Sequence, residues 1–102
     1  MGIYIDNASP NHLVHHNLCY NVTDCGIRLN TPTRDVLLYN NTLCQNGKSL
    51  AWWGSRGNND QQGVRVINNI LTDSVSLGEG AMSRSNYTEK DPGFLDPQNS
   101  DF

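Results

Sequence analysis

Good helix formers are scarce in this 102-residue sequence, where Ala, Glu and Lys together supply only seven residues. Without them a mainly helical fold is not expected. Long apolar runs are also missing, and nothing approaches the roughly 20 residues a membrane-spanning helix needs. Basic charge is not in excess either. Seven Lys and Arg face ten Asp and Glu with no block of one sign, so neither nucleic acid nor a membrane surface is expected as a partner. Residues 1–6 lack the positive start and apolar stretch of a signal peptide, and Asp6 stands where a myristoylation motif needs Ser or Thr. Cysteine is sparse and odd in number. Cys19, Cys25 and Cys44 fit neither a disulfide framework nor a four-ligand zinc pattern, and read as small buried apolar side chains.

What is abundant points to strands and turns. Asn occurs fourteen times and Gly nine, both turn formers, while Val, Ile and Thr together number seventeen. Local alternation agrees, with apolar residues at every second place in Gly2-Ile3-Tyr4-Ile5-Asp6 and again in Gly26-Ile27-Arg28-Leu29-Asn30.

The organising feature is an internal repeat. Leu13-Val14-His15-His16-Asn17-Leu18-Cys19, Leu37-Leu38-Tyr39-Asn40-Asn41-Thr42-Leu43 and Arg65-Val66-Ile67-Asn68-Asn69-Ile70-Leu71 align with Asn17, Asn41 and Asn69 in register. An apolar residue stands three places before each Asn (Val14, Leu38, Val66) and another two places after it (Cys19, Leu43, Leu71). Counting on from each Asn, new segments open at Gly26, Leu50 and Gly78, and Gly2 is the matching position upstream. Each turn then holds a short strand, a polar bend such as Thr31-Pro32-Thr33-Arg34-Asp35, a second strand, the Asn, and a third strand. Such a unit cannot bury its apolar side alone and must stack on its neighbours. Stacking places equivalent Asn residues about 4.8 Å apart, close enough for an amide ladder running from turn to turn.

The pattern of Gly26-Ile27-Arg28-Leu29 followed by Val36-Leu37-Leu38-Tyr39-Asn40-Asn41-Thr42-Leu43 resembles the right-handed parallel β-helix repeat of the pectate-lyase-like superfamily. That resemblance implies an all-β solenoid of about three to four turns, with repeat turns over residues 1–77 and a last irregular turn plus exit segment over residues 78–102. Both ends break off beside a repeat, so the chain reads as part of a longer protein. The resemblance further implies a secreted or cell-surface polysaccharide-processing protein, a lyase or a glycoside hydrolase, that binds a polysaccharide or oligosaccharide along the outward face of one sheet. The alternative is a non-catalytic carbohydrate-binding or surface-structural β-helix. An uncapped stack also exposes unpaired strand edges, so end-to-end self-association is expected.

Counting from each opening position places Tyr4, Arg28 and Trp52 in one outward row, with Asp6 and Asn30 two places on. Either Trp52 or Trp53 takes the outward slot, since a one-residue slip exchanges faces. An aromatic row with an Arg suits sugar, because a flat ring covers a pyranose and Arg forks onto a carboxylate or sulfate. The same residues also serve as a plain cross-strand stack. The polar insertion over residues 54–62 adds Arg56 as its only cation, either beside the groove or as a solvated loop. A hydrolase needs two carboxylates about 5–9 Å apart, and this face supplies only Asp6. No cofactor is expected in the chain itself, and the resemblance admits Ca²⁺ only in the parent protein. His12, His15 and His16 read as structural substitutions within the repeat. Asn-x-Ser/Thr matches at Asn7, Asn21, Asn40 and Asn86 carry little weight among so many Asn, and Asn40 is expected to be buried.

Overall fold

The computed structural model describes residues 1–94 and 97–100. The exit segment expected within residues 78–102 therefore falls partly on Leu95, Asp96, Asp101 and Phe102, outside the described residues. Ten short strands form among the described residues: β1 (Ile3–Ile5), β2 (Leu13–His15), β3 (Leu18–Tyr20), β4 (Cys25–Thr31), β5 (Leu37–Tyr39), β6 (Thr42–Cys44), β7 (Lys48–Gly54), β8 (Arg65–Ile67), β9 (Ile70–Leu71) and β10 (Met82–Arg84). The helical content among the described residues is two 3-10 turns, Ser55–Gly57 and Pro97–Asn99. The fold is all-β, as the shortage of helix formers implied.

All pairings between these strands are parallel, in three sheets ordered β1-β4-β7, β10-β8-β5-β2 and β3-β6-β9. The chain visits the first, second and third sheets in turn and then returns to the first, one strand further along. This arrangement is compatible with the parallel β-helix that the repeat resembles. Alternation explains the interior: Ile5, Ile27, Leu29, Leu38, Leu43, Leu50, Val66 and Leu71 all turn inward and are buried in one cluster. Fully burying one such side chain contributes roughly 1.5–3 kcal/mol, so the cluster is what holds the sheets face to face.

All three cysteines are buried and free, as their number implied. Burial pushes the Cys44 thiol up to about 11, since a thiolate is poorly solvated there. Native protein at mildly alkaline pH should accordingly leave a thiol reagent almost unconsumed until denaturant is added. Rapid labelling of Cys44 before unfolding would contradict the packing.

The Asn ladder forms and is longer than the repeat spacing indicated. Asn17 Nδ2 donates to Asn41 Oδ1 at 3.0 Å, Asn41 Nδ2 to Asn69 Oδ1 at 3.0 Å, and Asn69 Nδ2 to Asn86 Oδ1 at 3.0 Å. Each acceptor oxygen also takes the backbone N–H of the Asn one turn earlier, at 3.1, 2.9 and 2.8 Å. Beside the ladder, His16, Asn40, Asn68 and Ser85 all have left-handed backbone, with φ between 55 and 58°. Asn40 is exposed, not buried as expected, because the left-handed bend turns it outward, where Asn68 Nδ2 donates to its Oδ1 at 2.6 Å.

The register corrects one expectation. Residues Ile3, Ile27 and Leu50 align in the first sheet, so the second spacing is 23 residues and not 24. The second sheet keeps spacings of 24 and 28, through Leu13, Leu37 and Arg65. The corner from the third sheet back to the first is thus one residue shorter in the second turn, and the insertion after β7 is 28 − 23 = 5 residues. The fourth passage also differs. Val75, not Gly78, aligns with Leu50, and Met82 aligns with Arg65 in the second sheet only 17 residues on.

Candidate functional site

The outer surface of the first sheet carries the aromatic, charged and amide side chains expected of the candidate face. On β1 and β4 the odd-numbered Ile3, Ile5, Ile27 and Leu29 face the core, leaving Tyr4, Arg28 and Asn30 on the outer face, with Asp6 just beyond β1. On β7 the shorter corner changes the occupants: Arg28 pairs with Ala51, Leu29 with Trp52 and Asn30 with Trp53. Trp52 therefore sits on the core side and is partly buried, whereas Trp53 is 59% exposed. The outward row of Tyr4, Arg28 and Trp52 does not exist as counted. Its members are Tyr4, Arg28 and Ala51, and the row beside it holds Asp6, Asn30 and Trp53.

Hydrogen bonds knit the first two turns of this face together. Tyr4 donates its hydroxyl to Asp6 Oδ1 at 3.1 Å, and Asp6 Oδ1 also accepts the Asn7 backbone N–H at 2.8 Å. That backbone bond first, and the Tyr4 hydroxyl second, hold the Asp6 carboxyl below its ordinary value. Asn30 Nδ2 donates to the Tyr4 oxygen, whose own proton is committed to Asp6. Asn30 is only 7% exposed, and its Oδ1 is buried without a partner. Arg28 Nη2 reaches Asp24 Oδ1 and Oδ2 at 2.8 and 2.9 Å, and this contact lowers the Asp24 carboxyl.

The insertion begins where the face ends. Thr31 Oγ1 donates to the Asn58 carbonyl, pinning the loop that follows the 3-10 turn. Arg56, exposed at a φ of 56° within that turn, is not tied to the face by any hydrogen bond or ion pair among the described residues. Next to the face, Ala8, Pro10, Pro32, Arg34, Asn58 and Asp60 line an open cleft of about 420 Å³. Arg34 Nε donates to Asp60 Oδ2 at 3.0 Å across its floor.

One pairing was not visible in the repeat. Asp60 and Glu79 form an isolated parallel bridge outside the strands, which sets their backbones about 4.8 Å apart. Glu79 is reached only because the fourth passage is short, which no fixed spacing foretells. His15 stacks on Tyr39 at 4.8 Å between centroids, as the alignment of these positions implied, and its Nδ1 lies 2.8 Å from His16 Nδ1. No group of three or more His, Cys, Asp or Glu placed to hold a metal ion is found among the described residues.

Acid should weaken this part of the molecule. Asp6, Asp24 and Asp60 all have folded values below the ordinary 3.8, so their contribution is present above that value and lost as pH falls through the lowered ones. The thermal midpoint is therefore expected to hold from neutrality down to about pH 4 and decline below it. A midpoint that rises on acidification would contradict these contacts.

Comparison with protein-family models, with curated proteins and with solved structures gives no match, so the functional reading rests on the geometry of this face.

Proposed function

We propose that the chain is a stretch of right-handed parallel β-helix of the pectate-lyase-like kind that binds polysaccharide along the outer face of its first sheet. Three parallel sheets visited in strict rotation support the coil, and parallel crossovers of this type are right-handed in about 98% of cases. The observation that carries the binding reading is Trp53, a large ring left 59% exposed beside the Tyr4–Asp6–Asn30 hydrogen-bond network. A ring over a pyranose face with polar groups at its edge is how a flat protein surface holds a sugar.

Binding without catalysis is the better-supported form. Asp24 and Asp6 lie at opposite ends of the face, so they cannot act together on one glycosidic bond. The processing reading rests instead on Asp60 and Glu79 at the bend, and release of reducing ends or of unsaturated uronates from a polysaccharide would favour it.

The test of binding is glycan-array retention with two variants. Trp53→Ala should weaken retention at least about tenfold while leaving stability within roughly 0.5 kcal/mol, because an exposed side chain contributes little to folding. Trp52→Ala should do the reverse, lowering stability through lost packing. Equal retention by wild type and Trp53→Ala would refute the proposed face.

A further inference from the structure

Two arginines border this face, and the protein already occupies both. Arg28 places Nη2 between the two oxygens of Asp24, and its side chain is only 19% exposed. Arg34, across the Pro10–Pro32 cleft, holds Asp60 Oδ2 through Nε at 3.0 Å and Nη2 at 2.5 Å. A guanidinium recognises a carboxylate or sulfate by presenting a fork of free N–H groups. Here an incoming anion competes with a protein carboxylate for Nη2 of either arginine, and that carboxylate's charge stays beside it. The Asp24 contact thus weighs against Arg28 forking onto an acidic sugar.

Acceptors, in contrast, are in surplus. The Asp6 carboxylate lies on the face, and the Tyr4 proton is spent on it. Asn30 Nδ2 donates to the Tyr4 oxygen, so that donor is spent as well. Asp6 adds a negative charge that no arginine here offsets. A ligand that brings hydroxyl donors and no negative charge complements such a surface, and an anionic one meets like charge. Lys48 and Arg56 stand only at the two ends of the third strand, outside the Tyr4–Asp6–Asn30 network.

We propose that this face selects uncharged, hydroxyl-rich glycans and discriminates against uronates and sulfated sugars, an inference that rests on the carbohydrate reading above. Arg28 then neutralises Asp24 and takes no part in holding the glycan.

The experiment is an array of neutral, uronate-containing and sulfated oligosaccharides of matched length, probed with the intact chain at low and high NaCl. Neutral glycans should be retained at least roughly tenfold more strongly than charged ones, with little dependence on salt, since no free ion pair forms. Asp24→Asn, an exposed change that frees the Arg28 fork, should raise retention of uronate glycans about tenfold, and that gain should vanish in high salt. Arg28→Gln should leave retention of neutral glycans near wild type. Salt-sensitive preference of the wild type for uronates or sulfates would overturn the inference while sparing the binding reading. Retention of no glycan of any class would overturn both.

Discussion

Asn41→Ala is expected to lower the free energy of unfolding by about 3–5 kcal/mol, a large part of the total for a domain of this size. Asn41 is buried in the middle of the amide ladder, where its Oδ1 accepts from the Asn17 N–H and Nδ2 and its own Nδ2 donates to the Val14 carbonyl and Asn69 Oδ1. Truncation removes four hydrogen bonds and strands buried partners. Each lost bond costs on the order of 1 kcal/mol, and each stranded group about 1–3. Water can reach the Asn17 side but not the Asn69 side, which keeps the total below the simple sum.

Asn41→Asp should be worse. A buried carboxylate would face the Val14 carbonyl and Asn69 Oδ1, both acceptors, with no proton to offer at neutral pH. Loss of the cooperative unfolding transition near neutrality is the expected result, with partial recovery in acid once the carboxyl is protonated. Denaturant titration followed by circular dichroism measures both variants. A cost below about 1 kcal/mol for the alanine would mean the ladder is ornamental to stability.

Gly47→Ala is expected to cost at least about 3 kcal/mol for a different reason. Gly47 sits at the corner between the third and first sheets, where its N–H donates to the Val22 carbonyl at 2.9 Å. A methyl group there would run into the carbonyl oxygens of Thr23 and Asp24 in the preceding turn. Both are backbone atoms, so relief requires the two turns to separate, breaking the pairing of β4 with β7. Gly57→Ala is the matched control. Its φ is 75° but no atom lies within 4 Å of the added carbon, so only the left-handed backbone penalty of roughly 1 kcal/mol applies. Equal costs for the two variants would show that the corner yields, contrary to its packing.

The two cases differ in how far they could be foreseen. Asn17, Asn41 and Asn69 share flanking apolar residues, so the ladder and the strand on either side of it were legible in the chain. Asn86 was not, because the fourth passage through the second sheet follows after 17 residues and breaks the period. Gly47 gave no signal either. Its importance comes from two carbonyl oxygens one turn away, a contact that has no counterpart in local sequence.

The same division runs through the candidate face. On β1 and β4 an alternating pattern assigns each side chain to core or surface, and Tyr4, Arg28 and Asn30 lie on the outer face as counted. On β7 the run Leu50-Ala51-Trp52-Trp53 is apolar throughout, so period two carries no information about which ring faces outward. Hydrogen-bond register decided it, by way of a corner one residue shorter. Ion pairing divides in the same way: Asp24 reaches Arg28 from four residues away along the chain, whereas only the fold brings Asp60 against the Arg34 guanidinium. Composition, alternation and the Asn repeat by themselves determined an all-β chain of short strands paired in parallel from one repeat to the next, because those signals arise within a few residues and recur. The outward tryptophan, the Arg34–Asp60 ion pair and the Asp60–Glu79 bridge were decided by the tertiary structure alone, because each depends on the length of a corner or joins residues from different passages of the chain.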